Sequence, residues 1–399
     1  MAARAVLIFV CSGHAVVHVL LGLYLTLVLQ IEQAWAMSYD ELIGLWTLGA
    51  LLVGVGAPLA GWLSDRWGER PLLVLFFALS GFAAIFCGLA DSPTALWLGL
   101  ALLGLAASIY HPVALSWVVR HTRRQGTVMG VWGVCGSLGI ALASLVAGAL
   151  AGQWDWPMAF IVPGVVSIGL GVGLAACPPV PEAAAVGDDL SANGGADSRR
   201  TMIRAFVVLS ATLFAGAIFY HAFTTMLPKW LAISAFGGDG SDASLLEIGG
   251  VVTLVYLTGS TAQLAGGYLT DRLPLKWLYI ATFALKLPLP FIAAWLGGWP
   301  AMLVAAAIVF FLDFSAPVEN VLLARYSPPK RRGLIYGLKF VLAFAAAPLG
   351  VQLVALFYGA SGRFDTLLVT MGALVVVMLL IALLLPGERR RVTAAPAPA

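Results

Sequence analysis

Residues 61–67 read GWLSDRW, and residues 267–273 read GYLTDRL. The same order of small, apolar and Asp-Arg residues therefore recurs about 206 residues further along the chain. Two more segment pairs match at nearly the same spacing, residues 111–120 with 316–325 and residues 13–15 with 220–222. Three independent matches at one spacing indicate an internal repeat. The chain is therefore predicted to consist of two similar halves.

The composition predicts that both halves lie in a membrane. Hydrophobic residues make up 61% of the chain and charged residues only 10%, and the mean hydropathy is +0.96. These values exclude an ordinary soluble domain of this length. The apolar runs are continuous and do not alternate with a period of two, so they predict helices rather than the strands of a membrane barrel. The cysteines lie within apolar runs and are expected to be buried thiols rather than disulfide or metal ligands: Cys11, Cys87, Cys135 and Cys177.

Twelve apolar runs are long enough to span a bilayer. They are predicted at 5–30, 41–63, 70–90, 93–118, 126–151, 156–177, 204–232, 244–269, 275–298, 300–325, 333–358 and 364–386. A Pro-, Gly- and Asp-rich stretch between spans six and seven lacks apolar periodicity, which predicts a linker. The predicted organisation is a six-helix half (1–178), a cytoplasmic linker (179–203), a second six-helix half (204–387) and a cytoplasmic tail (388–399). We therefore expect an all-α membrane protein of two pseudo-symmetric six-helix bundles.

The basic residues predict the orientation of the spans. With both termini inside, 18 of the 22 Lys and Arg residues lie on the cytoplasmic side, and only Lys229 and Arg363 lie outside. We expect a multi-pass protein of the plasma membrane, the inner membrane in a bacterium.

The loop after span two, with its repeat after span eight, resembles the signature loop of the major facilitator superfamily. The residues in question are Gly61, Asp65, Arg66, Gly68 and Arg70, echoed by Asp271 and Arg272. The resemblance extends over the whole chain through the span count and the position of the linker, but Leu273 and Pro274 stand where the echo would need a closing glycine. It implies a transporter that works by alternating access, with this loop as part of its cytoplasmic gate.

In that fold, spans one, four, seven and ten line the central cavity. Ionisable side chains within spans are costly in lipid and mark functional candidates. The predicted substrate-binding residues are His14, His18, Tyr110, His111, Tyr220, His221 and Asn320. His14 and His18 stand four residues apart and share one helix face. A pair of this kind can bind an anionic group or carry a proton, or it can be two neutral packing residues.

Four further residues are predicted to couple transport to protons or to form ion pairs. Glu319 and Lys339 lie at similar depth on neighbouring spans and are predicted to pair. Asp313 and Lys286 lie near mid-depth and are predicted to form a structural pair. The alternative is that Asp313 or Glu319 releases its partner on protonation and so couples transport to a proton gradient.

Partial resemblances favour export. Gly13-His14 and Tyr110-His111-Pro112 resemble fosmidomycin-resistance-type exporters, which carry an Asp where His18 stands. The Gly-rich fifth span is similar to the antiporter motif of drug/proton exchangers, although Ser144 replaces its proline. We expect a monomeric, proton-coupled exporter of a small drug or metabolite.

The alternatives are a proton-coupled importer of a small organic anion and a non-transporting membrane sensor or assembly factor. Neither metal-ligand spacing, nor a nucleotide-binding loop, nor a nucleophile motif is present in the sequence. We therefore expect no enzymatic activity, cofactor, metal or nucleic-acid partner.

Overall fold

The computed structural model describes residues 2–121, 125–178, 199–237, 243–327 and 332–387, and its regular structure there is α-helical. The helices are α1 (Ala2–Trp35), α2 (Tyr39–Gly44), α3 (Trp46–Trp67), α4 (Glu69–Gly88), α5 (Pro93–His121), α6 (Gln125–Gln153), α7 (Trp156–Ala176), α8 (Arg199–Phe236), α9 (Leu245–Thr270), α10 (Leu275–Lys286), α11 (Pro288–Trp295), α12 (Trp299–Tyr326), α13 (Arg332–Ala345), α14 (Ala347–Ser361) and α15 (Asp365–Leu383). Within these described ranges, twelve helical segments are long and apolar enough to span a membrane, which confirms the predicted all-α membrane fold.

Three spans each contain two helices: α2 with α3, α10 with α11, and α13 with α14. Pro288 and Pro348 stand in the first turns of α11 and α14. A proline has no backbone N–H, so it cannot donate the i→i−4 hydrogen bond that would continue the preceding helix, and the helix breaks lie beside these two residues.

Helix α8 begins at Arg199, five residues before the predicted start of span seven. Residues 199–203, which the sequence assigns to the linker, are therefore helical. The Nε of Arg204 donates a 2.9 Å hydrogen bond to the carbonyl of Leu384 beyond the end of α15, which anchors this extension. Several predicted cytoplasmic segments lie outside the described residues: linker residues 179–198, the tail 388–399, and Arg123, Arg124, Lys330 and Arg331.

Within each group of six spans, helices pack together in close pairs. Helix α1 packs against α6, α3 against α5 and α4 against α7, while α9 packs against α12 and α8 against α14. Glycines permit this proximity, since a Cβ added to Gly81 would come within 2.5 Å of the Gly164 carbonyl oxygen. Van der Waals contact between close backbones holds helices together in lipid, where the hydrophobic effect between them is absent.

The first and last six spans meet along two seams. Helix α6 packs against α9, and α3 packs against α13 and α14. In the first seam, the Thr253 hydroxyl donates to the Ala141 carbonyl at 2.6 Å, and the Gln263 amide donates to the Ser137 hydroxyl at 3.0 Å. These seams leave a space between the two groups. We call the end of the bundle where α1 begins proximal and the opposite end distal.

Candidate functional site

A cavity of about 150 Å³ lies between the first and last six spans. Its polar wall includes His18, His111, Ser144, Tyr220, His221 and Tyr256, and its apolar wall includes Leu21, Leu25, Trp46, Val53, Phe344 and Val351. Among the described residues that line it, none is a Lys, Arg, Asp or Glu. The cavity therefore suits a small solute with a large apolar surface and a few hydrogen-bonding groups.

Three histidines come together at the wall formed by the first half. The His14 ring centroid lies 4.9 Å from that of His18 and 5.3 Å from that of His111, and the His18 and His111 centroids are 5.5 Å apart. His18 and His111 face the cavity. His14 is buried behind them, with only 7% of its surface exposed.

Helix α6 fixes the orientation of the His14 ring. The ring stacks on Trp132 at 4.1 Å between centroids, and its Nδ1 lies 2.6 Å from the Trp132 carbonyl oxygen. Trp132 also donates its indole N–H to the Tyr110 hydroxyl at 2.8 Å, and that hydroxyl donates to the carbonyl of Val10. Tyr110 is thus a fully buried support for the cluster, and it does not line the cavity.

The second half contributes Tyr220 and His221. Both line the cavity, with ring centroids 5.2 Å apart. Tyr220 is close enough to Asp313 to interact electrostatically with it. The Asp313 carboxylate lies against α9, where a Cβ on Gly259 would come within 1.8 Å of its Oδ2.

The predicted ion pair between Glu319 and Lys339 is present, with 2.8 Å between Oε1 and Nζ. The same Lys339 ammonium donates to the Asn320 side-chain oxygen at 2.6 Å. The hydroxyl of Tyr279 lies 3.4 Å from the second oxygen of Glu319. Asn320 therefore belongs to a charged group beside the cavity rather than to its wall.

The predicted pairing of Asp313 with Lys286 is wrong. Among the described residues, no ion pair joins the two side chains; the Lys286 ammonium instead lies 4.7 Å and 5.3 Å from the ring centroids of Phe219 and Phe283. Asp313 and Glu319 are six residues apart, so their side chains point in directions about 120° apart around α12. Lys286 faces the Glu319 side, where the two charges interact, and Asp313 faces α9.

The two halves are joined at the distal end. The Lys229 ammonium lies 2.7 Å from the Glu32 carboxylate, and the Tyr39 hydroxyl donates to the Thr225 carbonyl at 3.1 Å. Lys229, predicted on the outer side, is buried within α8. These contacts tie the two halves together at that end.

The predicted gate loop lies at the proximal end. Gly68 joins α3 to α4 with a φ of 82°, a left-handed conformation that favours glycine. Arg70 donates to the carbonyls of Leu174 at 3.2 Å and Ala175 at 3.0 Å, near the end of α7. A cation there satisfies open carbonyls and interacts favourably with the helix dipole. Arg70 thus ties two spans of the same half together.

The other predicted gate residues also lie near span ends. The Arg66 and Arg272 guanidinium groups stack over Trp62 and Tyr268, at 3.8 Å and 3.4 Å from the ring centroids. Asp271 caps the C-terminus of α9. Gly61 lies on α3, where an added Cβ would stand 3.8 Å from Pro112 Cβ, and Asp65 lies in the last turn of that helix.

Four of the seven predicted substrate-binding residues line the cavity: His18, His111, Tyr220 and His221. The sequence reasoning missed Thr224 and Thr225, which also line it. They follow His221 by three and four residues, so helical periodicity was the signal that could have identified them. Trp46 and Phe344 carry no such signal, because apolar residues on a span face lipid, neighbours or cavity alike.

Comparisons with known proteins agree with this geometry. The family model described as Major Facilitator Superfamily matches residues 10–240 and 230–399. An uncharacterised MFS-type transporter of Mycobacterium tuberculosis is 29% identical over 121 residues, which is 29% of this chain and 21% of that protein. The multidrug resistance protein fnx1 of Schizosaccharomyces pombe is 34% identical over 109 residues, which is 26% of this chain and 20% of that protein. The chain thus spans about a fifth of the length of these relatives.

A solved structure shares the fold. It is a bacterial homologue of the human lysosomal transporter Spinster in an inward-facing, occupied conformation. The two chains superpose with a TM-score of 0.73 over 96% of this chain and 94% of that one, at 17% sequence identity.

Proposed function

Because the chain belongs to the major facilitator superfamily, we propose that this membrane transporter exports a small organic solute, a drug or a metabolite, in exchange for protons. The cavity between the halves is the proposed solute site, and its lining is the observation that carries the proposal. Three imidazoles and several hydroxyls offer hydrogen bonds, while leucine, valine and aromatic side chains offer apolar contact. The multidrug-resistance name of a relative supports this solute class.

The cycle follows from the two halves. With the distal end closed by Glu32 and Lys229, solute enters from the proximal side, and rocking of the halves then opens the distal side. The loop around Asp65 and Arg70 forms the proposed proximal gate. Residues 1–178 and 204–387 act as the two moving bodies.

Asp313 is the proposed coupling residue. It lies in a span, forms no ion pair among the described residues, and is close to Tyr220 in the cavity wall. An unpaired carboxylate in a span is costly when charged, so exchange of its proton can be linked to a change of state. Glu319, by contrast, already has Lys339 as a counter-ion.

Asp313→Asn is expected to abolish coupling, because the amide cannot release a proton. In everted vesicles that hold a proton gradient, the native chain should dissipate the gradient when its solute is added, and the variant should not. Asp365→Asn is the matched control, since Asp365 pairs with Arg363 in an exposed turn. Solute-driven dissipation that persists in Asp313→Asn would exclude Asp313 from coupling.

Import of an organic anion is the second candidate, and the three imidazoles at the cavity are its support. A site for an anion would be expected to hold a permanent cation, and the described lining residues supply none. Export of a neutral solute is therefore favoured.

A further inference from the structure

Ring nitrogen atoms of His14, His18 and His111 lie close together. One ring nitrogen from each residue can be chosen so that all three lie within 4.8 Å of one another. Around a tetrahedral metal ion with bonds of about 2.0–2.1 Å, ligand atoms stand about 3.4 Å apart. The three rings therefore need to move inward by only about 1 Å to hold one ion.

The backbone of α6 prepares His14 as a ligand. The Trp132 carbonyl can only accept a hydrogen bond, so His14 Nδ1 at 2.6 Å must carry the proton. The Nε2 lone pair is then available. A carbonyl that orients the other nitrogen of an imidazole is the usual support of a metal-binding histidine.

His18 and His111 present their rings to the cavity. Within the part of the chain that the structure describes, no residue hydrogen-bonds to His18. Three ligands on one side leave the fourth coordination position directed toward the cavity, where a water molecule or a donor group of a solute can occupy it. Three protein ligands with an open position is the arrangement of reactive or exchangeable metal sites.

We propose that His14, His18 and His111 bind one divalent transition-metal ion of the Zn²⁺ or Co²⁺ class at the cavity wall. The all-imidazole donor set favours such ions over Mg²⁺ or Ca²⁺, which prefer oxygen, and over Cu⁺, which prefers sulfur. The ion enters either as the hydrated cation or as a chelate with a small carboxylate, whose oxygen then fills the fourth position. This site does not depend on the proposed export activity.

Binding is tested on the purified full chain, prepared without a polyhistidine tag and titrated with Co²⁺, which absorbs visible light when tetrahedral. We expect saturation at one ion per chain, displacement by Zn²⁺, and a higher thermal unfolding temperature with metal. Affinity should fall as the pH is lowered, because protonated imidazole cannot bind a metal. Absence of saturable binding, both with Co²⁺ alone and with added citrate, would overturn the site.

Added citrate distinguishes the two forms in which the metal can reach the site, the hydrated ion and the chelate. If the site takes the hydrated ion, citrate competes and lowers the apparent affinity for Co²⁺. If the site takes a chelate, citrate raises the affinity, because it supplies the fourth ligand. Either result supports the histidine site and identifies the form in which the metal arrives.

The residue assignment is tested by His18→Gln, with His221→Gln as the matched control. His221 lines the same cavity from the opposite half and is not part of the cluster. Loss of one of three ligands is expected to weaken Co²⁺ binding more than about 100-fold. Loss of a group that only hydrogen-bonds to a ligand typically costs about 10- to 100-fold, so a larger effect identifies His18 as a ligand. His221→Gln should bind as the native chain does. Native-like affinity in His18→Gln would contradict the proposal.

A second variant tests the same site without removing a ligand. A Cβ on Gly136 would stand 2.3 Å from Cε1 and 2.6 Å from Nε2 of His14, so Gly136→Ala must displace the ring. Gly133→Ala is the matched control, because its Cβ would meet nothing closer than Gln263 at 3.9 Å. We expect Co²⁺ binding to be lost in the first and retained in the second. Metal-free unfolding temperatures of all four variants verify that each one is folded, and equal affinity in Gly136→Ala and Gly133→Ala would count against His14 as a ligand.

Discussion

Gly259→Ala is expected to reduce the proposed proton-coupled transport to background while the protein remains in the membrane. The added Cβ would lie 1.8 Å from Oδ2 and 2.9 Å from Cγ of Asp313. Neither distance is possible between unbonded atoms, so the carboxylate must rotate away from α9. The third neighbour, Val309 Cγ1 at 3.4 Å, is in ordinary contact. The substitution therefore moves the proposed coupling group with little disturbance of the surrounding packing.

The measurement is again solute-driven dissipation of a proton gradient in everted vesicles. Gly250→Ala is the matched control, since it lies on the same helix and its Cβ would meet nothing within 4 Å. If displacement of Asp313 is the cause, adding Asp313→Asn to Gly259→Ala changes nothing further, because both changes remove one function. Native rates in Gly259→Ala would show that the position of Asp313 does not matter.

The depth of a residue in the membrane could be predicted from the sequence, but the side of the helix on which its side chain lies could not. Counting residues from span ends put Glu319 and Lys339 at the same level, and they pair. The same counting put Asp313 and Lys286 at one level, yet they face different neighbours. Which side of a helix faces which partner depends on packing. A span apolar on all sides gives no amphipathic signal to orient it.

The histidine cluster, too, could be predicted only in part from the sequence. The i, i+4 spacing of His14 and His18 predicts a shared face, and that prediction needs only helix geometry. The position of His111 on α5 beside His14, and the hydrogen bond from His14 to the Trp132 carbonyl, depend on how three helices pack together. A metal-ligand motif is recognisable in sequence when its ligands are close together in the chain. Here His111 lies 93 positions after His18, so the sequence alone predicted no metal site.

Loss of the ion pair at the distal end, through Lys229→Met, is expected to open that end. The substitution leaves Glu32 beside the seam without its cation. A hydrogen bond to a charged group contributes about 1.5–3 kcal/mol, so the ratio of distal-open to distal-closed molecules should rise roughly 10- to 100-fold. Glu32→Gln should have a similar effect. Because the two residues act through one contact, the double variant should open the end no further than Lys229→Met alone.

Spin labels on cysteines at Gln33 and Trp295 report this opening, since both side chains are exposed and lie at distal helix ends in different halves. The longer of the two label distances should gain population in Lys229→Met. Arg363→Gln is the matched control, because it breaks the 2.6 Å ion pair between Arg363 and Asp365. This pair lies at the same end of the bundle but within one half, and the Arg363 side chain is 73% exposed. An exposed pair of that kind contributes little, and its loss cannot separate the halves. Equal distance distributions in Lys229→Met and the native chain would mean that the aromatic and backbone contacts around Tyr39 hold the distal end closed without the ion pair.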